Sequence, residues 1–326
     1  MKNANMKTSG KQKIIIDTDP GIDDAMAIHM AFADPRLDVV GLTTIFGNVN
    51  VDEATRNALY LAEQAHYKLD VARGAEVPLV QVANTPSYHV HGDDGFGDLP
   101  AQSPKKAPHA LDAADYIIQT CRAHSGEISL CPVGPLTNIA IALQRDPDLV
   151  NHVKSVVIMG GAGFVPGNVS DYAEANIWND PHAADIVFAA DWEVVMIGLD
   201  VTTQVMITPP EYKSIADASG PIGKFIYDIS AFYTRFYATI YHDDVCVLHD
   251  PCAVIALTDP HLFEYRKMPV HVICDGPAIG QTVPDASLPR HAAKIAIGVD
   301  VDAVKAHYLD LSKMADDKTA DRQKAV

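Results

Sequence analysis

The stretch KIIIDTDPGIDDAMAI, residues 13–28, decides the fold. Three isoleucines, Ile14 to Ile16, run into four aspartates within eight residues: Asp17, Asp19, Asp23 and Asp24. The apolar run does not alternate with polar residues. That is the pattern of a strand covered on both faces, as in a parallel sheet. Pro20 and Gly21 break the run, and residues 22–33 read as a helix. The unit is therefore strand, tight turn, helix, with carboxylates crowded at the carboxyl end of the strand.

The same alternation recurs along the chain. Strand candidates are 13–17, 37–47, 127–134, 154–161 and 192–199, and helix candidates are 22–33, 50–65, 109–124, 135–144 and 180–190. Asn50 or Asp52 opens the second helix, and Asp180 before Pro181 opens the last, an N-cap followed by proline. The alternation predicts an α/β protein: a single-domain, open, mostly parallel sheet with helices on both faces. After residue 200 the pattern changes to a helical C-terminal part. A long helix with an aromatic stripe is expected at 221–241, and another starting at Asp250-Pro251 with Asp250 as its cap. Short β runs follow at 269–274, 279–283 and 293–299, then a closing helix at 300–313. One domain over 13–314 is expected, flanked by polar tails 1–12 and 315–326. The longest irregular stretch, 78–108, holds HGDDGFGD (91–98), and loops of that length often carry function.

Composition limits the partners. The 326 residues carry 25 basic and 42 acidic side chains, a formal net charge of −17. Such a chain repels phosphate backbones and anionic membranes, so no nucleic acid and no membrane is expected as a partner. No apolar run reaches the roughly 18 residues a span needs. The N-terminus has no apolar segment of the signal-peptide kind. The five cysteines are odd in number, widely spaced and form no CxxC, which reads as reduced thiols in a cytoplasmic protein.

In open α/β sheets ligands bind beyond the carboxyl ends of the strands. Behind the strand candidates stand DTDPGIDD (17–24), FGN (46–48), PVGPLTN (132–138) and MGGAGFVPGNVSDYAEAN (159–176). Asp17 and Asp19, two apart at a strand end, point to one side. Asp23 and Asp24 fall in the first helical turn, where each carboxylate gains roughly 0.3–1 kcal/mol from the helix dipole. An acidic helix cap explains one or two of the four. All four together suit a hard cation, Ca²⁺ or Mg²⁺, because oxygen ligands without His or Cys do not suit Zn²⁺. The stretch is not an EF-hand, since the twelfth position from Asp17 is Ile28 where a bidentate Glu is needed. It is not a phosphate loop either, lacking GxxxxGK[ST] and GxGxxG. DTD also begins like an aspartyl phosphatase of the haloacid dehalogenase type, but Pro20-Gly21 stands where a small hydroxyl residue is usual. A second landmark is His249-Asp250-Pro251, a histidine beside an aspartate at a helix entrance.

Together these segments resemble the inosine–uridine-type nucleoside hydrolases. DTDPGIDD matches the family's DxDPGxDD signature. FGN (46–48), PVGPLTNIA (132–140), MGG…GN…AEAN (159–176) and HDPC (249–252) follow in the family's order. The resemblance implies Ca²⁺ held by Asp19, Asp24, Asp250 and the backbone carbonyl of Val133. It implies Asp23, Asn48, Asn168, Glu174 and Asn176 on the ribose hydroxyls, Met159 beneath the sugar, and Asp17 bracing the loop. His249 places the chain in the histidine-containing subgroup. Tyr233 and Tyr237, four apart on one helix face, match aromatic positions near the nucleobase, and core packing explains them equally well. His91 matches a base-pocket histidine, with a solvated loop histidine as the plain alternative.

The implied reaction is hydrolysis of the N-glycosidic bond of ribonucleosides. It passes through an oxocarbenium-like state, with Asp19 as base toward water and His249 as donor to the departing base. Broad inosine–uridine specificity is expected, with a pyrimidine-preferring enzyme as the alternative, in a homodimer or homotetramer serving nucleoside salvage. Two rivals are a zinc hydrolase built on HVHGDD (89–94) and a non-catalytic, calcium-dependent nucleoside binder.

Overall fold

The computed structural model describes residues 10–99, 103–317 and 319. The chain runs β1 (Gln12–Thr18), α1 (Ile22–Ala33), β2 (Leu37–Thr44), α2 (Val51–Gln64) and β3 (Asp70–Arg73). It continues through α3 (Tyr88–His91), α4 (Ala113–Ala123), β4 (Ile128–Pro132), α5 (Thr137–Arg145), β5 (Val153–Met159), α6 (Ala175–Asn179) and α7 (Pro181–Ala189). Then come β6 (Val194–Ile197), α8 (Leu199–Thr202), β7 (Met206–Ile207), α9 (Pro209–Ala218), α10 (Gly220–Tyr241), β8 (Cys246–Val247) and α11 (His249–Thr258). The chain closes with β9 (Phe263–Met268), β10 (Val270–Val272), β11 (Thr282–Pro284), β12 (Ala293–Val299) and α12 (Val301–Lys313).

Eight strands form the central sheet in the order β3-β2-β1-β4-β5-β6-β12-β9. Every pairing is parallel except β12 with β9. The isoleucines of β1 explain why both faces are covered. Ile14 and Ile16 enter one apolar core with α1, α10 and α11, while Ile15 enters the other with α4, α5 and α7. The expected architecture, a single α/β domain, is what the structure shows.

The chain reverses its strand order beside β1: β2 and β3 lie on one side, β4 to β6 on the other. Asp17 is in register with Thr43 of β2 and Pro132 of β4, so three strands end level. The loops that follow them open the crevice at which α/β sheets bind ligands.

Several expectations need correction. The strand expected over 37–47 ends at Thr44, and Ile45 to Asn48 turn toward the site. β3, with one Arg and one Asp in four residues, has no apolar run to announce it. In the C-terminal part the β runs expected at 269–274, 279–283 and 293–299 are present as β10, β11 and β12, while β7, β8 and β9 were not expected; β9 pairs β12 at the sheet edge, and the four short strands form two-stranded ribbons. Asp250 does not cap α11; Leu248 holds that position and Asp250 lies in the first turn. The C-terminal tail is held at its start. Residues 315–317 are helical, Ala315 is buried, and Asp316 accepts the Ile222 N–H at 3.0 Å. At the other end, residues 1–9 of the expected N-terminal tail lie outside the described residues, as do 318 and 320–326.

Candidate active site

The turn between β1 and α1 builds the floor of the site. Asp24, in the first turn of α1, reaches back over it. Its Oδ1 accepts the Thr18 hydroxyl at 2.5 Å and the Asp19 N–H at 3.3 Å, and its Oδ2 accepts the Gly21 N–H at 3.0 Å. Asn48 adds its side-chain amide to Asp24 Oδ2 at 3.0 Å and its backbone N–H to Asp19 Oδ2 at 2.6 Å. Gly47 and Gly134 press on Asp19 so closely that a side chain at either would strike its carboxylate; at Gly134 a Cβ would lie 2.5 Å from Oδ1.

Asp17 takes a separate place. Its Oδ1 accepts the Thr43 hydroxyl at 2.6 Å and the Asn138 amide at 2.8 Å, and Asn138 also donates to the Thr44 carbonyl at 2.9 Å. It ties β1 to β2 and α5. Its Oδ2 is buried without a hydrogen-bond partner.

Asp23, Asp24 and Asp250 bring one carboxylate oxygen each within 4.8 Å of one another, all three buried. They are the one such grouping of His, Cys, Asp and Glu among the described residues. Asp19 stands outside that trio by distance, whereas the family resemblance counts it and not Asp23 as a ligand. Its charge nonetheless acts on Asp250, after those of Asp23 and Asp24. Burial pushes every one of these carboxyls up: Asp17 to about 7, Asp23 to about 8, and Asp19, Asp24 and Asp250 also upward, with mutual repulsion adding for Asp19, Asp23 and Asp250. Asp19 Oδ1 and Asp23 Oδ1 are buried without any hydrogen-bond partner. Uncompensated buried carboxylates cost several kcal/mol each, and a divalent cation is the partner whose charge and oxygen preference fit them. The donor set therefore fits a hard divalent cation, Ca²⁺ or Mg²⁺.

Above this floor lies a cavity of about 580 Å³. Asp23, Asn48, Val133 and Asp250 line its acidic end. The Val133 carbonyl faces Asn176, whose amide donates to it at 2.9 Å and to the Met159 carbonyl at 3.2 Å. Met159, Asn176 and Glu174 line the wall from β5 to α6. Glu174 caps α6: its Oε1 accepts the Asn176 N–H at 2.9 Å, and its Oε2 accepts those of Gly161 at 2.9 Å and Ile177 at 3.2 Å. Asn168 lines the exposed lip and ties the loop by accepting the Ala175 N–H at 3.0 Å. Asp19 and Asp24 lie beneath this lining.

The opposite wall comes from α3, α10 and α11. Tyr233 donates to Asp23 Oδ2 at 3.1 Å, its hydroxyl lies 3.3 Å from that of Tyr237, and Tyr237 lies 2.7 Å from His249 Nε2. The tyrosines are thus both packed and lining the cavity; the two readings of them coincide. The Thr202 hydroxyl is 2.8 Å from His249 Nδ1. Burial pushes the His249 imidazole down to about 4. His91 is buried, not solvated. It stacks on Tyr233 at 5.5 Å, and its Nδ1 accepts the Ile22 N–H at 3.1 Å. Burial, then the neighbouring His249 and His89, push it down to about 3. The HVHGDD segment gathers no metal ligands: His89 packs its edge on Phe236, and Asp94 Oδ1 accepts the N–H groups of Phe96 and Asp98.

The sequence reading missed Thr202 behind the imidazole, and Phe236, Ile240 and Tyr241 on the cavity wall. Thr202 follows a strand end, so the strand-end rule could have found it; the α10 residues were visible only as an aromatic stripe.

Comparison with known proteins shows what the chain as a whole is similar to. The family model described as inosine–uridine preferring nucleoside hydrolase matches residues 14–306. A probable uridine nucleosidase 1 of Oryza sativa subsp. japonica is 42% identical over 283 residues, 86% of this chain and 87% of that protein. An inosine–uridine preferring nucleoside hydrolase of Leishmania major is 38% identical over 300 residues, 89% of this chain and 94% of that protein. A solved plant nucleoside hydrolase superposes with a TM-score of 0.90 at 37% identity, covering 93% of this chain and 99% of that one.

Proposed function

The chain belongs to the inosine–uridine preferring nucleoside hydrolase family and is a ribonucleoside hydrolase, and from that premise we propose how its residues divide the work. Ca²⁺ would be held by Asp19, Asp24, Asp250 and the Val133 carbonyl, the set the family resemblance implies. What supports a cation here is the buried acidic floor, where Asp23, Asp24 and Asp250 converge and Asp19 Oδ1 and Asp23 Oδ1 have no hydrogen-bond partner. When bound, the cation supplies charge that lowers the pKa of a coordinated water and a grip on ribose hydroxyls.

The chain's own groups supply the rest. Asp19 takes the proton of the attacking water at Oδ1, since Oδ2 is committed to the Asn48 N–H. Asp23, Asn48, Asn168, Glu174 and Asn176 orient the ribose hydroxyls, and Met159 fills the space beneath the ring. The carboxylates also favour the positive ring of an oxocarbenium-like state. His91, Tyr233 and Tyr237 shape the nucleobase side. His249 supplies a proton toward the leaving base as a neutral imidazole, because its burial disfavours the imidazolium. The Tyr237 hydroxyl at Nε2 supports that assignment, standing where a proton can be passed.

We place its specificity in the broad inosine–uridine class, with pyrimidine preference as the second reading. The uridine nucleosidase relative favours the latter and the inosine–uridine relative the former. The enzyme serves nucleoside salvage, in the cytoplasm, as a homodimer or homotetramer. Five free cysteines, four of them buried, support a reducing compartment. A kcat/KM panel over the common ribonucleosides, with and without chelator, tests the reading. Base release from inosine and uridine that chelation abolishes and Ca²⁺ restores is the expected result; activity indifferent to chelation would remove the cation from it.

A further inference from the structure

Three consecutive backbone residues of the turn after β1 are each claimed by a different element. The Gly21 N–H goes to Asp24 in α1. The Ile22 N–H goes to His91 in α3. The Pro20 carbonyl goes to Asn57 in α2, whose side-chain amide donates to it at 2.9 Å. The same Asn57 amide donates its other hydrogen to the Asp94 carbonyl at 2.8 Å. Asn57 is buried, 1% exposed, and its Oδ1 accepts Arg56 Nε at 3.1 Å, so every polar hydrogen and the oxygen are committed. Gly95, at φ +84°, completes the joint: a Cβ there would lie 2.8 Å from both Asn57 Nδ2 and the Pro20 carbonyl.

This amide is a bridge between two segments with different tasks. One is the acidic turn under the cavity. The other is the loop 88–98, which brings His89 and His91 to the nucleobase side of the same cavity. Both connections from the turn to that loop, through Asn57 and through His91, attach within Pro20–Ile22, directly beside Asp19, Asp23 and Asp24. A change in how those carboxylates sit displaces the turn, and the turn can move only with the loop or by breaking these bonds.

We propose that Asn57 is a positioning residue that couples cation occupancy of the acidic floor to the posture of loop 88–98. The nucleobase wall is then set in place only when the floor is filled. This rests on the reading that Asp19, Asp24 and Asp250 hold Ca²⁺. Asn57 itself does not line the cavity and touches neither sugar nor base.

The test is backbone hydrogen exchange followed by mass spectrometry on the full chain, with chelator or with Ca²⁺ and no substrate. In the wild type, Ca²⁺ should slow exchange in peptides spanning 17–24 and also in those spanning 88–98. In Asn57→Leu, Ca²⁺ should still slow 17–24, while the slowing at 88–98 is lost. Gly95→Ala reaches the same joint from the loop side and should give the same uncoupling if Asn57→Leu does not fold. KM for inosine should rise in both variants with a smaller change in kcat. Equal Ca²⁺-dependent slowing of 88–98 in wild type and variants overturns the coupling while leaving the cation reading intact. No Ca²⁺ effect on 17–24 in the wild type overturns both.

Discussion

The Tyr237 hydroxyl lies 2.7 Å from Nε2 of His249, and Thr202 holds the other ring nitrogen at 2.8 Å. Both nitrogens are engaged before any substrate arrives. The imidazole is neutral near pH 7, since burial lowers its pKa to about 4. It still carries one N–H, and the Tyr237 hydroxyl at Nε2 is placed to pass that proton toward the leaving base, the net proton coming from the attacking water.

That arrangement makes a leaving-group test sharp. His249→Ala should lower kcat on inosine by about 10²- to 10⁴-fold, the usual range for a lost general acid. Tyr237→Phe should lower it in the same direction by less. p-Nitrophenyl riboside, whose leaving group departs without a proton, should be nearly unaffected by either. Equal losses on the two substrates would show that His249 acts by packing.

Asp19→Asn should abolish most of kcat while leaving the metal-free fold intact or firmer. The amide keeps the shape between Gly47 and Gly134 and removes one charge from a crowd of buried carboxylates. A fall of at least about 10²-fold, with an unchanged or higher Tm in chelator and a smaller rise in Tm on adding Ca²⁺, is the expected set of results, read from initial rates and thermal melts. Retention of full activity would exclude Asp19 as the base.

Cation removal should destabilise the protein, and more so as pH rises. The folded carboxyls of Asp17 and Asp23 are raised to about 7 and about 8, so between the ordinary carboxylate range and pH 8 the metal-free fold holds more protons than the unfolded chain. Its stability is complete at the acid end of that window and is lost as pH rises through it. Bound Ca²⁺ should compensate the ionised forms, and its binding should release protons. The Tm gap between Ca²⁺ and chelator should widen from pH 5 to pH 8. A gap that is flat or narrows would contradict the assignment of the acidic floor.

Much of this site was legible because the residues sit in short runs at strand ends. Ile14–Ile16 announced a doubly covered strand, and the two cores that split these residues are why. Asp23 and Asp24 were placed correctly in the first turn of α1 because the helix must start after Pro20-Gly21. Asp250 was given the right neighbourhood and the wrong local role. A carboxylate before proline looks like a cap, but here the charge is turned toward Asp23 and Asp24. Loop 88–98 looked loose from its glycines. It is tied to the turn after β1 through Asn57, 37 positions from both Pro20 and Asp94, and no local pattern reports a side chain that bridges such separations.

The last prediction concerns stability away from the site. Asp34, at the end of α1, is buried, and burial alone would raise its pKa. Hydrogen bonds from Arg36, with the His307 ring 3.9 Å away, outweigh that and hold the carboxyl well below its ordinary range. Arg36 forks onto it, with Nη2 2.7 Å from Oδ2, and also reaches Asp259 beyond the end of α11. The unfolded chain therefore binds the Asp34 proton more readily than the folded one. The stabilisation is present above the ordinary carboxylate pKa and is lost as pH falls below it. Asp34→Asn should cost about 1–3 kcal/mol at pH 7, the range for breaking a buried charged hydrogen bond. Its deficit against wild type should shrink toward pH 3, with kcat/KM unchanged at pH 7 because the cluster does not line the cavity. Urea unfolding at both pH values measures this, and a deficit that grows toward acid would reverse the sign assigned to Asp34.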